Sequence, residues 1–267
     1  MPFPSHLRPT LWIAAFAALA GTAQAAEVMV TVTVENLAPT NSVAFAQLNV
    51  GFHGGTFDAF DIGSAASPAI ISVAEGGTGT AWFPAFMAAD PTATLGAVRP
   101  TPPGPLLSGR MASGTFRVDT SVNPYFTFAS MVVPSNDFFI GNDDPMQYRL
   151  FDAEGNLAIS SILQRSRDVW DAGSEIHDPA AAAQVGTNSL RADQNSVVAF
   201  NFAELAAFDG LTTAAGYTFD SQLAADTGIY RISFGVAPVP EPETYALMAL
   251  GLGAIGLARR RRSAVRV

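Results

Sequence analysis

The sequence predicts a mainly β protein, an antiparallel sandwich with loop-rich insertions, and three observations carry that prediction. Residues 28–34 alternate valine with Met29, Thr31 and Thr33, the period of two expected of a half-buried strand. Short apolar runs recur through the body, each bounded by Gly, Pro, Asn or Asp. Helical periodicity is scarce between the two ends. Many short strands separated by such turns indicate two packed antiparallel sheets.

The elements follow in order. Residues 28–34 form the first strand, and 36–41, with Pro39, a turn. Residues 43–50 alternate again until Gly51, Gly54 and Gly55 interrupt them. The stretch 61–110 is rich in Gly, Ala, Ser and Pro and reads as loops with short strands or one short helix. Within it, Gly76, Gly77 and Gly79 make a flexible turn, and Pro102, Pro103 and Pro105 cannot donate to a central ladder. Residues 113–118 and 125–133 read as strands, the second so apolar that it should be central. Residues 147–152 read as a strand closed by the turn 152–156, and 180–183 as a helical turn or plain loop. Strands at 196–202 and 229–236 complete the body, with no internal repeat.

The two ends have a different character. His6 and Arg8 precede an apolar run at 11–20, and Ala23-Gln24-Ala25 supplies a small-residue cleavage site, the layout of a secretory signal peptide over residues 1–25. At the other end Pro240-Glu241-Pro242 leads into an apolar run at 244–258, closed by Arg259, Arg260, Arg261 and Arg262. A helix of that length spans about 22 Å, less than a full hydrocarbon core. The arginines would hold its end on the cytoplasmic side, so a transient transmembrane anchor is expected. This tripeptide, short helix and Arg cluster, in this order, resemble the PEP-CTERM sorting signal. The resemblance implies cleavage near the tripeptide by an exosortase-type enzyme. It also implies delivery to the cell surface or exopolysaccharide matrix of a Gram-negative bacterium. The expected organisation is therefore residues 1–25 signal peptide, 26–237 β-sandwich and 238–267 sorting tail.

Charge narrows the function classes. All 14 basic residues are arginine, and the chain has no cysteine. Disulfides, zinc–thiolate sites and cysteine nucleophiles are thereby excluded. The body keeps eight arginines against 21 acids, a net charge near −13. Such a surface repels nucleic acid and anionic lipid and suits either cation binding or simple solubility.

Two acidic stretches carry most of the chemical information. The first runs from Pro134 through Ser135, Asn136 and Asp137 to Gly141, followed by Asp143 and Asp144. The second is Asp171-Ala172-Gly173-Ser174-Glu175. Carboxylates from separate loops are the hard oxygen donors that Ca2+ takes, and the scarcity of His argues against softer metals. Residue types alone point more to turns in which Asp and Asn bond their own backbone.

Residues 134–141 resemble the P-S-x-D-[WF]-[FI]-[VI]-G signature of the spondin N-terminal domain, and 171–175 resemble its D-A-G-T-[DE] signature. The resemblance implies a C2-like β-sandwich with one structural calcium at a loop end. It carries ligand roles over to Asp137 and Asp171, and to a third acid taken here as Asp119. The match at Asp119 requires a one-residue insertion, because Arg117 stands at the equivalent position. Glu175 and Asp143 are reserve ligands. Phe138 and Trp170 are expected to be core or wall residues. The cysteine frame and accessory repeats of the animal members are missing, so their integrin or glycan adhesion does not transfer.

Enzyme signatures are absent. There is no G-x-S-x-G elbow, H-E-x-x-H helix or Walker A lysine. Only His53 and His177 remain in the body. The expectation is an exported, non-enzymatic, calcium-binding surface or matrix protein whose partner is an extracellular polysaccharide or another surface protein. The alternatives are a secreted carboxylate-dependent polysaccharide hydrolase and a ligand-free structural coat protein.

Overall fold

The computed structural model describes residues 27–200, 202–239 and 252. The signal-peptide region and the expected anchor at 244–258, Leu252 apart, lie outside them. Among the described residues no helix is long and apolar enough to cross a membrane.

Strand β1 (Glu27–Asn36) follows the valine alternation, each even-numbered residue buried and each odd one more exposed. It lies between β5 (Met111–Asp119) and β11 (Gly228–Pro238), and β11 also pairs with β8 (Ser161–Arg165). This sheet of four turns one face to solvent. Glu27 pairs there with Arg117, and Glu35 with Arg231 at 2.9 Å. Such exposed pairs contribute at most about 1 kcal/mol each.

The second sheet is built on β6 (Tyr125–Val133). Its order is β10 (Ala199–Phe200), β9 (Trp170–Asp171), β7 (Phe138–Gly141), β6, β3 (Leu48–His53) and β4 (Thr94–Val98). The short β2 (Ala44–Phe45) also pairs with β6. The reading of β6 as central is correct, and the reason is that both its faces are covered. One faces the main core between the sheets, with Phe45, Phe52, Phe126, Phe128 and Tyr230. The other lies under helices α1 (Pro68–Ala74) and α2 (Trp82–Ala89), with Phe57, Ile70, Trp82, Phe86 and Phe139. A strand covered on both sides loses its alternation and reads as a continuous apolar run.

Several sequence expectations need correction. The stretch 61–110 holds two helices, α1 and α2, where at most one was expected. Ser67 starts the first, its hydroxyl accepting from the Ile70 N–H at 3.3 Å, with Pro68 next to it. Gly51 does not end its strand but lies inside β3, where a Cβ would sit 2.4 Å from the Phe86 ring. Glycine there lets α2 pack onto the sheet. Residues 147–152 form only isolated bridges, through Arg149 and Phe151. The turn after them holds, with Asp152 accepting from the Glu154 and Asn156 N–H groups. Of the expected strand at 196–202, the described residues hold only the two of β10. Strands β7, β8 and β9 were not foreseen.

The sandwich is polar end to end. The chain enters at Glu27 and leaves at Pro238 on one pole, because Val28 pairs with Pro238 in the β1–β11 ladder. Tyr125 and His53, partners in the β3–β6 ladder, lie at this pole too. Phe126 stacks edge-on against Phe234 at 4.9 Å. At the other pole the buried amide of Asn36 donates to the carbonyls of Val43 and Leu106 at 2.9 and 2.8 Å. Val133 pairs with Ala44 at the same end.

Phe126 joins the sheets, contacting Phe52, Phe128 and Phe234. Phe126→Ala should therefore cost about 3–5 kcal/mol, read as a lower urea midpoint. A loss below about 1 kcal/mol would mean the core is not organised around this ring.

Candidate metal centre

At the Val133 pole β7 begins beside the end of β6, and β9 runs antiparallel to β7 with Phe138 opposite Asp171. This short pairing brings the two signature segments together. Asp137 immediately precedes β7, and the loop 171–175 leaves β9 directly over it. The Asp137 carboxylate is buried. Its Oδ2 accepts three hydrogen bonds from that loop, from Ser174 N–H at 2.7 Å, Ser174 Oγ–H at 3.0 Å and Glu175 N–H at 3.0 Å. The Asp137 carbonyl accepts in turn from Ala172 N–H at 3.2 Å.

Two further groups shape the loop. Ser135 Oγ accepts from Phe138 N–H at 3.1 Å, which fixes the turn that presents Asp137. Asp171 Oδ1 accepts from Gly173 N–H at 2.6 Å, an Asx turn. Gly173 has φ +66, and a Cβ there would lie 2.7 Å from the Val197 carbonyl oxygen. Only glycine fits both the left-handed conformation and the close approach.

The electrostatics of this pole are those of acids short of countercharge. Burial raises the pKa of Asp137, against the opposing pull of the Glu175 and Ser174 donors. Burial pushes Asp171 up to about 7, and the nearby Asp137 carboxylate adds to the shift. Glu175 is also pushed up to about 7, by burial first and by Glu75, against the pull of Arg191. Arg191 Nη1 lies 3.0 Å from Glu175 Oε1 and 3.8 Å from Glu75. The other Glu175 oxygen is buried without a donor. A proton shared with the neighbouring Glu75 carboxyl would satisfy it.

The other sequence-derived ligands lie elsewhere. Asp119 ends β5 and accepts from Ser121 N–H and Oγ–H at 3.0 and 2.6 Å. The nine residues of β6 separate it from Asp137, about 25 Å or more along an extended strand. It belongs to the opposite pole and is corrected out of a shared site. The insertion needed to align it displaced the assignment. Asp143 follows β7 where Asp137 precedes it, and its Oδ1 accepts from Ile62 N–H at 3.1 Å. Asp143 therefore drops out as well. Glu175 does join the pole, but its Oε1 is held by Arg191. Among the described residues no three or more Asp, Glu or His side chains converge at metal-ligand geometry. What remains is a carboxylate pair, Asp137 and Asp171. Two carboxylates supply only part of the oxygen shell of a hard cation, so carbonyl and water oxygens would have to complete any site here.

Sequence reading missed Glu75, Arg191, Glu204 and His177 at this pole. Glu204 contributes to the Asp171 shift, His177 Nδ1 lies 3.3 Å from Glu204 Oε2, and the His177 ring stacks parallel to Phe138. None belongs to either motif, and no spacing links them. His53 is remote. It is buried at the entry pole and hydrogen-bonded to Thr127 at 2.9 Å, and burial lowers its pKa to about 4. Phe138 is buried core and Trp170 is half-buried, as expected for wall residues.

Comparison with known proteins adds the address of the chain. Residues 238–262 match the family model of the PEP-CTERM protein-sorting motif. The chain carries an exosortase sorting signal. It is an exported protein of the kind sorted to the Gram-negative cell surface, and its processing partner is an exosortase. No match to the spondin N-terminal domain accompanies this one, and no curated protein matches the chain. The sorting motif begins on the last residue of β11, Pro238, at the pole opposite Asp137 and Asp171.

Two predictions test the loop. Asp171 has a folded pKa near 7 and an unfolded value near 3.8. Its contribution is most favourable below pH ~4 and is lost as pH rises toward 7. In chelator-treated protein, Asp171→Asn should raise Tm at pH 7 and leave it nearly unchanged at pH 4. A lower Tm at pH 7 would contradict the assignment. Gly173→Ala should cost about 1–3 kcal/mol, measured by chemical denaturation.

Proposed function

We propose that this protein is a non-enzymatic, calcium-stabilised surface module that serves the extracellular matrix by binding a glycan or another surface protein. The observation that supports this reading is the Asp137–Asp171 pair. Two buried carboxylates repel each other across a loop that one of them organises, and a divalent cation would relieve that repulsion. Asp137 Oδ1 and Asp171 would hold the ion, which supplies positive charge and fixes the loop. The two signatures resembling the spondin N-terminal domain supply these two aspartates, which favours a structural calcium over a catalytic one.

One observation favours a second reading. An acid raised to about 7 beside a second carboxylate is also what a glycoside hydrolase uses as proton donor. Against it, Asp137 is 2% and Asp171 7% exposed, which leaves a sugar chain little room to approach. Calcium can enter as the loop closes.

The test uses the full chain in mild detergent at neutral pH. Calcium at about 100 times its Kd adds about 2.7 kcal/mol to the folded state, or about 5–10 °C in Tm for a domain of this size. Excess EGTA should remove the shift. Asp137→Asn and Asp171→Asn should abolish it, and Asp119→Asn should leave it intact. A wild-type melt indifferent to calcium rejects the metal. Chelation-resistant turnover of a polysaccharide that depends on Asp171 would establish the hydrolase instead.

A further inference from the structure

A cleft of about 530 Å3 opens beside the clamped loop. Its polar lining includes Gln47, Glu75, Arg99, Gln184, Asn188 and Arg191. Pro100, Pro103, Pro105 and Met131 supply an apolar wall. Two of the eight arginines in a strongly acidic body thus line one depression.

The hydrogen-bonding state of these groups is informative. The Arg99 guanidinium is exposed and has no ion pair or hydrogen bond among the described residues. The side-chain amides of Gln184 and Asn188 are likewise unpartnered there. Gln184 adopts the left-handed conformation, φ 73, and its carbonyl accepts from Ala214 N–H at 2.6 Å. A non-glycine residue held in that region carries strain that the surroundings must maintain. Arg191 differs from Arg99. It is fixed on Glu175 and donates to the Glu75 carbonyl at 3.0 Å, while its buried Nε has no partner. Arg191 is thus a wall of the cleft and a strut to the Asp137 loop, and Arg99 is its free cation.

We propose that this cleft is a saccharide subsite that takes a uronate residue, with Arg99 receiving the carboxylate. The free amides and the Glu75 carboxylate in this lining match the donors and acceptors of sugar hydroxyls. The proline and methionine wall matches the C–H face of a pyranose. A guanidinium binds a carboxylate through two parallel hydrogen bonds, which a neutral sugar cannot offer. The acidic body repels densely charged polymers such as nucleic acid. A sparsely carboxylated chain brings few charges within the roughly 8 Å screening length at physiological salt. The inference deepens the surface-module reading, and rests on it, in naming the glycan class.

The test is calorimetric titration of the full chain, in mild detergent, with a hyaluronan-type hexasaccharide that carries one glucuronate carboxylate per disaccharide. The control is the same oligosaccharide with its carboxyls reduced to alcohols. Each titration is run in calcium and again in EGTA, with a thermal melt of the same sample. Wild type should bind the acidic form at least about tenfold more tightly than the reduced form. Arg99→Gln, a change at an exposed position, should erase that preference, and Asn188→Ala should weaken both forms. Equal binding of the two oligosaccharides, a preference that survives Arg99→Gln, or no binding at all each overturns the proposal. A calcium-dependent melt without oligosaccharide binding removes the subsite and leaves the calcium reading standing. Carboxylate-selective binding with a calcium-indifferent melt does the reverse.

Discussion

The Asp137 carboxylate is the group on which the organisation of one whole pole depends. A buried carboxylate is costly unless donors converge on it, and here three do, all from the loop 171–175. Those bonds set the loop over the start of β7. Ser135 on one side and Gly173 on the other are the local devices that make the approach possible. The same loop carries Glu175 toward Arg191, and Arg191 reaches Glu75 at the end of α1. One buried charge therefore ties together the sheet, the loop after β9 and the helical layer.

The strand pairings give the molecule a direction. Because β1 and β11 are paired over their whole length, both termini of the body leave from one pole. The sorting motif starts where that ladder ends. The Asp137 loop and the Arg99 cleft lie at the far end of the sandwich, on the second sheet. A tether at Pro238 would thus hold the chain by one pole and leave the other directed outward. Any ligand role fits best at the pole the tether does not occupy.

The amount of this that the sequence made legible depended on whether the signal was local. Strand β1 showed itself because one face is wet, and β11 because its buried half still alternates. Strand β6 showed itself by being apolar throughout. The helices α1 and α2 were hidden because they pack onto an already buried sheet face, which leaves little polar stripe to mark a period. Strands β7 and β9 were hidden because two to four residues show no period at all. The site divided in the same way. Asp137 and Asp171 stood out within two compact motifs. Asp119 failed because its assignment rested on an alignment offset, with no local chemistry to support it. Glu75 and Arg191 reach the pole only through tertiary packing, as does Arg99 the cleft, and no spacing along the chain connects them.

Charge counting shows what a divalent ion would change at this pole. Asp137, Asp171, Glu175 and Glu75 all lie at this pole, and Arg191 bridges the last two. Protons can make up the deficit, and the raised pKa values of Asp171 and Glu175 describe that solution. Those protons are given up as pH rises through neutrality. A divalent ion between Asp137 and Asp171 would neutralise the pair that Arg191 does not reach. With two carboxylates and the rest of the shell from weaker oxygens, binding would fall toward the 10⁻⁴–10⁻³ M range typical of extracellular modules. That range is adequate for an exported protein in a calcium-containing medium and insufficient inside a cell.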